Sequence, residues 1–214
     1  MPEQLPPALA SVATTTLAPG STLWRIHADR WKSTQFNPTV RTGASDFDAL
    51  TDNGGRFDAT DADRFAYLYA AEDTIGAVAE ALLRDRTSPP PYILRRAKLE
   101  GLVLAKLETL KPLKVALLHG RGLTAIGQDA WLSGCGPRSY GITREWARAV
   151  RAWSPEAVGL VWRSRLDNDR RVYILFEDRC PPASLGVVAR HSAASGAGLI
   201  LVRRALAEHG VVLS

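Results

Sequence analysis

Strand-like runs outnumber helical ones along this chain, and they do not alternate with helices at βαβ spacing. That order is the strongest constraint on the fold, because a doubly wound nucleotide fold needs a regular alternation of strand and helix. The sequence therefore predicts an α+β domain with a mixed β-sheet core. Its 214 residues, 46% of them hydrophobic, are enough to bury a sizeable core. No internal repeat is present.

The first strand is predicted over Thr22–Ala28, with Leu23, Arg25 and His27 on one face and Trp24 and Ile26 on the other. Residues 1–20 are rich in Pro, Ala, Ser and Thr without a period. They read as a loose arm, or a segment laid on the surface, ahead of a single domain over 21–214. Residues 29–65 read as loop, followed by a strand over Phe65–Ala70. The clearest periodic element is a helix over Asp73–Arg84, where Ile75, Val78, Ala79, Leu82 and Leu83 share one stripe and Asp73 or Thr74 supplies the cap. Pro89, Pro90 and Pro91 then forbid helix.

Strands are expected over Tyr92–Ala97, Leu102–Leu107 and Lys114–Leu118, and a loop with room for one short helix over His119–Gly141. A helix over Thr143–Trp153 places Trp146, Val150 and Trp153 together, and Pro155 stops it. Strands follow at Val158–Ser164, Arg171–Glu177 and Val187–Arg190. Gly198–His209 reads either as a strand then a helix or as one helix.

A net charge of +5 and a pI near 9.5 suit an anionic partner, either nucleic acid or a phosphate-bearing small molecule. An excess of Arg over Lys with abundant Ala equally fits a GC-rich coding bias. Cys135 and Cys180 form no CxxC pair, and His27, His119, His191 and His209 are scattered, so no metal site is expected. No apolar run reaches the roughly 18 residues of a membrane span, and no basic leader is visible; a cytoplasmic location is the expectation. The phosphate loops GxGxxG and GxxxxGK[ST] are absent, as is GxSxG. An enzyme of this sequence acting on a nucleotide must hold phosphates with arginines and loop amides.

Several residues fit that chemistry. Arg25 lies inside an apolar strand, where it needs a partner or an anion, or an edge position that lets it reach solvent. Gly54-Gly55-Arg56-Phe57 sets an arginine behind two glycines, which suits close approach of an anion but also a plain surface turn. Tyr69 stands just before the helix. Glu80 falls off the helix's apolar stripe, on a side made small by Gly76, Ala77 and Ala81. That is a solvated glutamate or one facing a ligand. Ser164 closes a strand between Arg163 and Arg165.

Taken together, Arg25 in LWRI, the Gly-Gly-Arg-Phe turn at 54–57, Tyr69 followed eleven positions later by Glu80, and Ser164 ahead of LFED resemble the RES family over roughly residues 20–180. The family is named for its arginine, glutamate and serine. Phe57 departs from the commoner tryptophan, and the stretches at 29–53 and between Glu80 and Ser164 are long. The resemblance implies an ADP-ribosyltransferase-like fold and an enzyme that degrades NAD, in some members by phosphorolysis. It also implies a toxin paired with a helical, Xre-like antitoxin, so that nucleic acid is met only through that partner. NAD is then a substrate, inorganic phosphate a co-substrate, and no cofactor or metal is needed. By the same resemblance Glu80, Tyr69 and Arg25 are catalytic, and Arg56, Ser164 and Gly55 bind substrate. Transfer of ADP-ribose to a protein is the alternative activity. A basic nucleic-acid-binding module is a more distant one, with no helix-turn-helix signal or Lys/Arg block behind it. A homo-oligomer stays open.

Overall fold

The computed structural model describes residues 4–52, 54–84 and 92–214. Among them, ten strands and five α-helices form an α+β fold around one large mixed sheet. The strands are β1 (Thr14–Leu17), β2 (Thr22–Ala28), β3 (Tyr67–Ala71), β4 (Tyr92–Leu94), β5 (Leu102–Thr109), β6 (Leu113–Leu118), β7 (Gly159–Arg163), β8 (Arg171–Phe176), β9 (Leu185–Ser192) and β10 (Val211–Leu213). The main sheet runs β1-β6-β7-β8-β3-β2-β5-β9, and β10 pairs with β4 apart from it. All pairings in the main sheet are antiparallel except β6 with β7.

Strand alternation sorts the core onto two faces. Tyr67, Leu160, Trp162 and Ile174 join Phe57 and Trp146 in one buried cluster, while Leu68, Val161 and Leu175 join Leu23, Leu107 and Leu113 in another. Helix α4 (Tyr140–Trp153) covers the first face with Trp146 and Val150, both buried, and Trp153 stacks edge-on to Trp146. Helix α5 (Gly196–Glu208) closes a third cluster of Val202 and Leu206 against Val78 and Leu104. The alternative of a strand then a helix for this segment gives way to one helix.

Several elements differ from expectation. Within the expected N-terminal arm, Thr14–Leu17 pairs with Leu113–Ala116 as the edge of the sheet. Gln4 and Ala8 offer backbone carbonyls to the indole N–H groups of Trp146 and Trp153. The segment is thus laid on the domain. Its strand escaped notice because an edge strand buries little and Thr15 and Thr16 stay exposed. The Tyr92–Ala97 strand stops at Leu94, and Arg96–Leu99 turns into a short 3-10 helix. Between His119 and Gly141 lie helices α2 (Arg121–Ala125) and α3 (Trp131–Gly134) and a 3-10 turn at Pro137–Ser139. Both cysteines are free. Pro89, Pro90 and Pro91 lie outside the described residues. Among the described residues no helix is long and apolar enough to cross a membrane.

The loop at 29–65 is held in place by two buried arginines of α4. Arg144 grips Asp52 through two bonds of 2.6 and 2.7 Å and donates to the carbonyls of Thr42 and Gly55. Arg151 lies 3.9 Å from the Phe65 ring centre and 4.3 Å from that of Phe176, with Asp63 and Asp178 as its counterions. An arginine fits both tasks because its planar fork stacks on rings and meets a carboxylate bidentately.

Candidate active site

The predicted helix begins as α1 (Thr74–Val78), capped by Asp73, whose carboxylate accepts from the Gly76 N–H at 2.8 Å. It then widens into a π-helical turn over Ala79–Leu83. Such turns concentrate at functional sites because the extra residue re-aims a side chain. Here the turn contains Glu80. Ala79 remains fully buried on the apolar stripe, while Glu80 faces a cleft beside Ala77 and Ala81.

That cleft has a volume of about 190 Å³. Its walls come from β2 (Trp24, Arg25, Ile26), the 54–57 turn (Gly55, Arg56), β3 (Tyr69), the helix (Glu80, Arg84), the start of α4 (Tyr140) and β7 (Trp162). Five of the six predicted site residues therefore line one cavity. The sixth, Ser164, is buried behind it and donates its hydroxyl to Glu80 Oε1 at 2.7 Å. The strand-end serine thus meets the helix glutamate across 84 residues of sequence.

The arginines of the cleft differ from those that hold the loop. Arg25 donates from Nη1 to the carbonyls of Ser33 and Gln35, both at 3.0 Å, and its Nε has no hydrogen-bond partner. Burial pulls its pKa down to about 10. Arg56 is 6% exposed, donates to Leu132 O and Cys135 Sγ, and lies over the Tyr140 ring at 5.2 Å. Among the described residues neither has a carboxylate partner, whereas Arg144 and Arg41 have Asp52 and Asp58. A buried cation without a counterion costs several kcal/mol or more, so buried Arg56 and half-buried Arg25, with its Nε buried, are cations that an anion in the cleft would stabilise.

Tyr69 is anchored at its far end. Its hydroxyl donates to Asp58 Oδ1 at 2.8 Å and accepts from the Phe57 N–H at 3.1 Å. Burial, with the Asp58 charge next to it, raises its pKa well above 10, so the hydroxyl stays protonated and is no general base. The ring is what Tyr69 offers the cleft, edge-on to Trp162 at 6.0 Å. Gly55 is glycine for the same cluster: a Cβ there would lie 2.5 Å from Asp58 Oδ1 and 2.6 Å from the Tyr69 hydroxyl. Its smallness thus serves packing as well as the cleft wall.

Sequence reasoning missed Trp24, Arg84, Tyr140 and Trp162 on the walls, and Asp58 and Arg144 behind them. No local signal separates these aromatics from core residues. Asp58 lay in a polar run that reads as loop.

An α+β domain that brings Arg25, Glu80 and Ser164 around one cleft contains the three residue types from which the RES family takes its name. The RES domain family matches residues 22–195, and the chain belongs to it. A chain in the crystal structure of the M. tuberculosis MbcT–MbcA toxin–antitoxin complex shares the fold, with a TM-score of 0.59 at 16% identity over 90% of this chain and 92% of that one. No curated protein matches.

Proposed function

We propose that this protein cleaves the nicotinamide–ribose bond of NAD and passes the ADP-ribosyl group to inorganic phosphate. The observation that carries the reading is the meeting, in one aromatic-walled cleft, of Glu80 with Arg25 and Arg56, which have no carboxylate partner among the described residues. The cleft's 190 Å³ is below the roughly 300–1,000 Å³ of complete small-molecule sites, and so suits one end of a dinucleotide.

In the reaction the electron pair of the C1′–N bond moves to the pyridinium nitrogen, and neutral nicotinamide leaves. Positive charge develops on the ribose as in glycoside cleavage. Glu80 accepts a hydrogen bond from the ribose 2′-hydroxyl and stabilises that charge. Ser164 holds Oε1 of Glu80 and leaves Oε2 for the ribose, so the serine positions the carboxylate rather than attacking. The rings of Tyr69 and Trp162 pack against nicotinamide. Arg25 and Arg56 hold the diphosphate or the incoming phosphate, whose oxygen forms the new bond to C1′. The products are nicotinamide and ADP-ribose 1-phosphate. The scheme requires no metal.

RES membership, with the likeness to a toxin–antitoxin complex, supports a biological role as a toxin restrained by a helical, Xre-like antitoxin. The test is NAD consumption by the purified protein with and without inorganic phosphate, with products identified by NMR. Phosphate-dependent loss yielding ADP-ribose 1-phosphate is expected. Loss independent of phosphate would make water the acceptor. No loss from a folded protein would direct attention to ADP-ribosylation of a protein target.

A further inference from the structure

Arg25 lines two cavities. Besides the cleft, it lines a second cavity of about 330 Å³ bounded by β2 and the loop that follows it. Its walls include His27, Arg30, Trp31, Gln35 and Asn37. The Nη1 bonds of Arg25 to Ser33 and Gln35 tie this loop to the strand. His27 is fixed likewise, with Nε2 at 3.0 Å from the Ser33 hydroxyl.

We infer that this second cavity holds the adenosine half of the dinucleotide and that the enzyme accepts NADP as well as NAD. The inference rests on the NAD-cleaving reading above. Three observations carry it. The first cleft is too small for a dinucleotide, and the second falls within the size range of a small-molecule site. The shared residue, Arg25, is a half-buried cation with no carboxylate partner among the described residues, and it stands where a diphosphate joining the two halves would lie. Trp31, 46% exposed and stacked under Arg30 at 5.3 Å, offers a flat ring for a base.

The preference follows from charge. In Rossmann-type sites an acidic residue on the adenosine ribose 2′-hydroxyl selects NAD and an arginine there accommodates NADP, and the same charge logic holds for any wall that meets a 2′-phosphate. Among the described residues the walls of this cavity contain Arg25 and Arg30 and no carboxylate. The shallow surface continuing from Arg30 adds Lys32 and Arg190, and its acidic residue, Asp29, is bound by Arg190. The charges on these walls thus favour a 2′-phosphate.

The experiment compares kcat/KM for NADP, NAD and nicotinamide mononucleotide, with wild type and Arg30→Glu. Arg30 is exposed, so the variant should fold. In wild type, NADP should be used within about tenfold of NAD, and the mononucleotide at least about tenfold less well than either. Arg30→Glu should lower the NADP-to-NAD ratio by about tenfold or more, since a cation next to the 2′-phosphate becomes an anion. Turnover of NAD with NADP more than about a hundredfold poorer and a ratio unmoved by Arg30→Glu would overturn the inference and leave the NAD reading standing. If neither dinucleotide is consumed, the NAD reading fails. Calorimetry with adenosine 2′,5′-bisphosphate and 5′-AMP then decides the cavity. Tighter binding of the bisphosphate, weakened by Arg30→Glu, supports the adenosine site, and no binding of either overturns it.

Discussion

Replacing Ser164 by alanine separates a positioning serine from one that touches substrate. The hydroxyl is 1% exposed and donates to Glu80 Oε1 at 2.7 Å, so its loss removes one short bond to a carboxylate and exposes almost no surface. A hydrogen bond to a charged group contributes about 1.5–3 kcal/mol. If that contribution is felt where the ribose charge develops, kcat falls about 10- to 150-fold. The second bond of the hydroxyl, accepted from the Leu166 N–H at 3.3 Å, is long and adds little. KM for NAD should change by less than about threefold, because uniform binding is untouched. The assay is steady-state nicotinamide release, alongside a urea melt to establish that the variant is folded. A kcat within about threefold of wild type would refute the positioning role. A rise in KM with kcat preserved would instead place Ser164 on the substrate.

Other substitutions probe the scaffold. Tyr69→Phe leaves the Phe57 N–H and Asp58 short of a partner, so unfolding free energy by denaturant titration should drop by about 1–3 kcal/mol. Arg144→Ala strands the Asp52 carboxylate and loosens the turn bearing Arg56; about 3–5 kcal/mol of stability should be lost, and an unaltered denaturation midpoint would contradict the pairing. Ala79→Glu puts a carboxylate on a fully buried stripe and should prevent folding, read by circular dichroism, whereas a well-folded variant would show the helix register to be wrong. The Asp52 carboxyl is held below the usual carboxylate range by its hydrogen bonds to Arg144. A depressed folded pKa gives stability that is present above the unfolded value of 3.8 and lost as pH falls through the lower folded value. The acid limb of the stability curve should therefore flatten in Asp52→Asn below about pH 4, and a limb as steep as in wild type would exclude that linkage.

Much of this fold follows from short-range pattern. The alternation in TLWRIHA fixes β2 to the residue, and the stripe through Ile75, Val78 and Ala79 fixes the helix. The edge strand at Thr14–Leu17 carries no such signal, because it pairs on one side only and its own residues, three threonines and a leucine, show no apolar alternation. The π-helical turn was hidden for a different reason. Its residues, AEALL, read as ordinary helix, and the bond that Glu80 makes there comes from Ser164, 84 residues away. The site shows the same division. Arg25, Arg56, Tyr69, Glu80 and Ser164 were legible as a set through family resemblance, since no one of them stands out by chemistry alone. The supports were not legible: Arg144 reaches Asp52 across 92 residues and Asp58 meets Tyr69 through a polar loop. Long-range partners of buried charges leave no periodic trace in a single sequence.

In this scheme Glu80 carries the chemistry in the cleft. The most direct test is single-turnover release of nicotinamide from NAD in saturating phosphate, with wild type beside Glu80→Gln. Glutamine keeps the size and the hydrogen bond from Ser164 but removes the charge that stabilises the ribose cation. Glu80→Gln should fold, still bind NAD and release nicotinamide at least about a hundredfold more slowly. Release by Glu80→Gln at close to the wild-type rate would contradict it.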